Sequence, residues 1–77
     1  MKKVQILGTG CAKCEKLAAN AKQAADNLGL DYELVKVSDL NDIMAFGVMT
    51  TPALALDGKV LTTGKVPSPA DIEKLIG

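Results

Sequence analysis

The 77-residue chain is 48% hydrophobic and 23% charged, and its nine lysines are matched by nine acidic side chains. That length suits one small domain spanning residues 1–77; the apolar fraction is too high for intrinsic disorder, and a formal net charge of zero attracts neither nucleic acid nor an anionic membrane. The absence of histidine excludes imidazole-based catalysis, whether Ser-His-Asp or Cys-His, and every Cys₂His₂ metal site.

With one Phe, one Tyr and no Trp, the core has to be built from Leu, Val, Ile, Met and Ala. A domain below roughly 80 residues gains only about 3–5 kcal/mol from such a core. No run of about 18 apolar residues is present for a membrane-spanning helix. The stretch between Met1-Lys2-Lys3 and Gly8 is far too short for a signal-peptide core, so a cytoplasmic protein is expected.

Lys2 to Leu7 alternates Val4 and Ile6 with Lys3 and Gln5, the pattern of a first strand, and Gly8-Thr9-Gly10 turns the chain. From Cys11 to Leu28 there is no Pro or Gly, and Cys14, Leu17, Ala18, Ala21, Ala24, Ala25 and Leu28 recur at helical spacing. This predicts a long helix whose small-residue face approaches a sheet closely, with Gly29 as its left-handed C′ residue. Tyr32 to Val37 reads as a second strand with Leu34, Val35 and Val37 buried. Asp39 to Phe46 reads as a short helix capped by Ser38 or Asp39, carrying Leu40, Ile43 and Met44 and closed by Gly47.

Ala53 to Leu56 and Lys59 to Thr62 flank Asp57-Gly58, the strongest short signal for a two-residue hairpin. Ser68-Pro69 then reads as an N-cap followed by proline at the first helical position, with Ile72, Leu75 and Ile76 on one side of a last helix. The order is βαβαββα. A right-handed crossover through the long helix makes the first two strands parallel, giving an α/β domain with a four-stranded mixed sheet flanked by three helices.

Cys11-Ala12-Lys13-Cys14 falls where a strand-ending loop opens into a helix. The loop between the two cysteines is too short for their bond to remove much unfolded-state entropy, so their purpose is chemical. Thiolate is the nucleophile, and the N–H groups and positive dipole end of a helix stabilise it. Cys11, at the terminus, is therefore expected to attack, and Cys14, one turn in, to resolve. Lys13 adds positive charge that favours the thiolate, partly offset by Glu15. The local motif equally suits a soft-metal carrier, in which two thiolates bind Cu(I) or Zn²⁺. Heavy-metal-associated carriers resemble the Gly8-Thr9-Gly10-Cys11 segment, but they place a hairpin after the first helix and finish on a strand.

The CxxC after strand one, the βαβαββα order and Thr51-Pro52 before strand three resemble the thioredoxin fold across essentially the whole chain. The segments from Gly8 to Cys14 and from Val48 to Ala53, together with Gly64, most resemble the small archaeal and bacterial glutaredoxin-like thioredoxins, also called redox-active disulfide protein 2. The resemblance implies a dithiol-disulfide oxidoreductase with a redox-active Cys11–Cys14 disulfide and no bound cofactor or metal. It implies a cis Thr51–Pro52 bond beside that disulfide, a Thr51 backbone that pairs with an extended substrate segment, and a Gly64 that leaves room for the partner's main chain. Met44, Phe46 and Met49 read mainly as core, with an apolar docking rim as the alternative.

Disulfide-containing client proteins are the implied partners, an NADPH-dependent flavoprotein of the thioredoxin reductase type is the implied electron donor, and a monomer is expected. The chain departs from thioredoxin proper in having Gly10 before the first cysteine and Ala12-Lys13 between the two. Gln5 stands where thioredoxins carry a buried carboxylate. Gly64-Lys65-Val66-Pro67 matches the glutaredoxin Gly-Gly-X-Asp element poorly, so the resemblance does not extend to a glutathione site, although Lys13 and Thr51 lie where glutathione would touch.

Overall fold

The computed structural model describes residues 2–9 and 12–77. Among them the chain forms β1 (Lys2–Leu7), α1 (Ala12–Leu28), β2 (Tyr32–Val37), α2 (Leu40–Ala45), β3 (Ala53–Leu56), β4 (Lys59–Thr63) and α3 (Pro69–Ile76). The strand order across the sheet is β2-β1-β3-β4. β1 runs parallel to β2 and antiparallel to β3, and β3 runs antiparallel to β4. This is the expected four-stranded mixed sheet with three helices. No helix among the described residues is long and apolar enough to cross a membrane.

Alternation along the central strands divides the core in two. Val4, Ile6 and Leu54 pack with Leu17, Ala18, Ala21, Ala24 and Ala25 of α1 and with Ile72 and Ile76 of α3. Leu7, Ala53 and Ala55 face the other way and meet Ile43 of α2 and Val48. The alanine face of α1 is buried. Small side chains there let the helix approach the sheet closely, and Leu17 and Leu54 are both fully buried in this cluster.

The ends of the elements follow their sequence signals. Asp39 caps α2, its carboxylate accepting from the Asn41 N–H at 2.8 Å, and Ser68 caps α3, its hydroxyl accepting from the Asp71 N–H at 3.3 Å. Asp57 (φ 51°) and Gly58 (φ 88°) both occupy the left-handed region, the signature of a tight hairpin matched to strand twist. That turn is latched onto β1: the Lys3 N–H donates to Asp57 Oδ1 at 2.8 Å, and the Gly58 N–H donates to Gln5 Oε1 at 2.7 Å.

Three burial expectations are corrected. Leu34, Val35 and Val37 are half-buried rather than buried, because β2 is an edge strand with sheet on one side only. In the six-residue α2 only Ile43 reaches the core; Leu40 and Met44, one turn apart on another face, are 63% and 69% exposed, and Met49 is 100% exposed. Phe46 is half-buried against the α2-side core. Leu28 and Leu75 are exposed rather than core, although Ala24, Ala25 and Ile76 beside them are buried.

Candidate functional site

The predicted site residues divide into two groups that the sheet brings to one edge. β1 ends at Leu7, whose partner across the ladder is Ala53 at the start of β3. One step further in that register, Gly8 comes opposite Pro52. Gly8 stays in the ladder on its other side, its N–H donating to the Val37 carbonyl at 2.9 Å, while the Gly64 N–H donates to the Pro52 carbonyl at 2.8 Å. The ends of all four strands thus lie in a row through Val37, Gly8, Pro52 and Gly64, hydrogen-bonded between the first two and between the last two.

Cys14 is the third residue of α1 and is buried, 5% exposed. Its side chain packs directly on Gly8: an ideal Cβ built on Gly8 overlaps Cys14 Sγ and lies 3.1 Å from Cys14 Cβ. Cys14 also lines a cleft of ≈ 150 Å³ together with Ile6, Gly8, Glu15, Lys36 and Ser38. Lys13, next to Cys14 in the first turn, is exposed. Cys11 and Gly10 lie outside the described residues, so the expectations of an attacking Cys11 and of a Cys11–Cys14 disulfide stand on sequence position; α1 begins at the next residue, Ala12.

The Thr51–Pro52 peptide bond is cis. Pro52 is buried and Thr51 exposed. Thr51 lies on the rim of a second groove of ≈ 320 Å³ formed with Leu40, Ile43, Met44, Val48 and Met49. Gly64 has φ 67°, and a Cβ placed there would come 2.8 Å from the Thr50 methyl, so both backbone conformation and space select glycine. Gly64 therefore braces the Thr50–Pro52 segment through a hydrogen bond and a close van der Waals approach.

Gln5, where the resemblance places a buried carboxylate, lies on the sheet face opposite α1 and spends its side-chain oxygen on the Gly58 N–H. It serves the hairpin, not the thiol. Among the described residues no three His, Cys, Asp or Glu side chains cluster as metal ligands.

Sequence reasoning missed Gly8, which reads as a turn glycine inside Gly-Thr-Gly. It also missed Lys36 and Ser38, whose approach to Cys14 follows from β2 lying beside β1, a pairing that places Leu7 against Val37. The spacing of Gly8, three residues ahead of the CxxC, was the available signal. The groove residues Leu40, Met44 and Met49 were visible as apolar; for Met44 and Met49 the exposure fits the docking-rim alternative rather than the core reading.

Residues 2–77 match the family model described as a thioredoxin domain. The chain is 41% identical over 76 residues to a protein named thioredoxin from Methanothermobacter thermautotrophicus, covering 99% of both chains. It is 42% identical over 71 residues to a protein named thioredoxin from Methanocaldococcus jannaschii, covering 92% of this chain and 81% of that one.

Proposed function

This chain belongs to the thioredoxin family, whose members are thiol-disulfide oxidoreductases, and from that premise we propose that it reduces disulfides of client proteins through Cys11 and Cys14. The observation that carries the reading is the placement of Cys14: seated in the first turn of α1 against Gly8, on the strand-end row that also holds Pro52.

The Cys11 thiolate attacks one sulfur of the client disulfide. A Cys11–client bond forms, the client S–S bond breaks, and the second client sulfur leaves as a thiolate that takes a proton. Cys14, as thiolate, then attacks Cys11 Sγ; the Cys11–Cys14 bond forms and the first client sulfur leaves. Two electrons and two protons pass to the client, and the protein is left oxidised. Lys13 supplies positive charge near the first thiolate. The Thr51 main chain offers an edge for an extended client segment, with Gly64 holding that edge in place and the Met44–Met49 groove receiving apolar client side chains. An NADPH-dependent flavoprotein of the thioredoxin reductase type, in the cytoplasm, returns the electrons. No resident cofactor takes part.

The test is alkylation mass spectrometry across a dithiol/disulfide buffer series, with Cys14→Ser challenged by a disulfide substrate. Interconversion of both cysteines as a two-electron pair in the thioredoxin range of about −270 mV, with the variant trapped as a mixed disulfide on Cys11, is the expected result. Cysteines that stay reduced throughout, or that alkylate only after a chelator is added, overturn the reading in favour of a thiolate metal site.

A further inference from the structure

We propose that Gly8 is a positioning residue for the second thiol transfer: the missing side chain at position 8 is the seat of the Cys14 sulfur. The proposal rests on the oxidoreductase reading above.

Gly8 is not a glycine for conformational reasons. Gly29, Gly47, Gly58 and Gly64 have positive φ, whereas Gly8 does not, so its backbone would accept any L residue. It is a glycine for space. Among the described glycines where a built Cβ meets a neighbour, this is the one at which the neighbour is a reactive atom: Cys14 Sγ occupies the volume itself, with Cys14 Cβ at 3.1 Å.

Neither wall can retreat. Gly8 is buried and held by its 2.9 Å hydrogen bond to the Val37 carbonyl, continuing the β1–β2 ladder. Cys14 is carried by α1, whose next inward residues, Leu17 and Ala18, are locked in the core. A methyl group at position 8 is therefore accommodated by rotating Cys14 about χ1, which moves the sulfur and leaves the fold in place. Gly8 and Cys14 line the same cleft, so the rotation takes the sulfur off that shared wall.

Of the two transfers, only the second uses the Cys14 sulfur. In the second step Cys14 Sγ must approach Cys11 Sγ in line with the bond that breaks, and misplacement by about 1 Å in such a step costs on the order of a hundredfold. The first step, attack by Cys11, forms and breaks no bond at the Cys14 sulfur. Gly8 thus sets the release of the client without touching the client.

The test uses fully reduced protein and one equivalent of 5,5′-dithiobis(2-nitrobenzoate). Attack by Cys11 releases one thionitrobenzoate, and attack by Cys14 on the resulting mixed disulfide releases the other. Wild type is expected to release both. Gly8→Ala is expected to release the first at the wild-type rate and the second about tenfold or more slowly, with the mixed disulfide on Cys11 visible by intact mass. Both releases at wild-type rates, or both slowed alike, overturn the proposal. A wild-type protein that releases only one equivalent overturns the oxidoreductase reading itself. Should Gly8→Ala not fold, Gly8→Ala/Cys14→Ala decides: a restored cooperative melt supports a contact with the sulfur, and continued misfolding overturns it.

Discussion

Gly64 donates its backbone N–H to the carbonyl oxygen of Pro52 at 2.8 Å, while its Cα sits where any added carbon would press on the Thr50 methyl. The end of β4 is thereby fitted to the segment that carries the proposed client-binding edge. Gly64→Ala adds a side chain at φ 67°, a conformation that costs an L residue about 1–2 kcal/mol, and forces Thr50 to move. Urea unfolding should register a loss of at least that size. Thr50→Ala combined with Gly64→Ala should recover the part due to the methyl contact and leave the conformational part. Equal stability of Gly64→Ala and wild type would refute this account.

The exposed pair Met44 and Met49 beside Thr51 should matter for large substrates only. Placing a lysine at either position puts a charge in the apolar groove, and a loss of about 1.4 kcal/mol in docking lowers kcat/KM about tenfold. Insulin reduction by Met44→Lys or Met49→Lys should fall by that factor, with the rate toward a small aromatic disulfide unchanged. Parallel losses on both substrates would place the methionines in the chemistry or the fold instead.

Tyr32 gives a pH signature. Burial, then the hydrogen bond from its hydroxyl to Asp26 Oδ1 at 2.9 Å and the charge of that carboxylate, raise the phenol above its ordinary 10.0. The folded state therefore holds this proton more tightly than the unfolded state. Its stabilising contribution is complete below about pH 10 and is lost as pH rises through the folded value. Denaturation midpoints measured from about pH 9 to pH 11 should fall less steeply for Tyr32→Phe than for wild type. Identical slopes would mean that the Asp26–Tyr32 bond contributes nothing to folding.

The elements were legible because each carried a local signal: period 2 in Lys2–Leu7, period 3.6 on the alanine face of α1, Asp57-Gly58 at the hairpin, Ser68-Pro69 at the last helix. Cys14, Thr51, Pro52 and Gly64 could be singled out because a motif and a resemblance named them. What the sequence did not disclose was set by strand order. Placing β1 between β2 and β3 brings Lys36 and Ser38 to Cys14, aligns Gly8 with Pro52, and leaves β2 half-covered. Leu40 and Met44 look like core residues by periodicity, and their exposure follows from α2 being too short for more than Ile43 to turn inward.

The irregularity in β4 has a consequence for self-association. Leu54 pairs with Thr62 and Ala55 with Val60, so Leu61 is an extra residue on an outer strand of the sheet. A bulge there bends and twists the row of outward N–H and C=O groups, making it a poor template for strand addition. The opposite margin, β2, turns the charged Glu33 and Lys36 toward solvent. A protein whose proposed work is to accept one extended segment at Thr51 thus discourages, by a kink on one margin and charge on the other, the unwanted addition of strands that leads to aggregates.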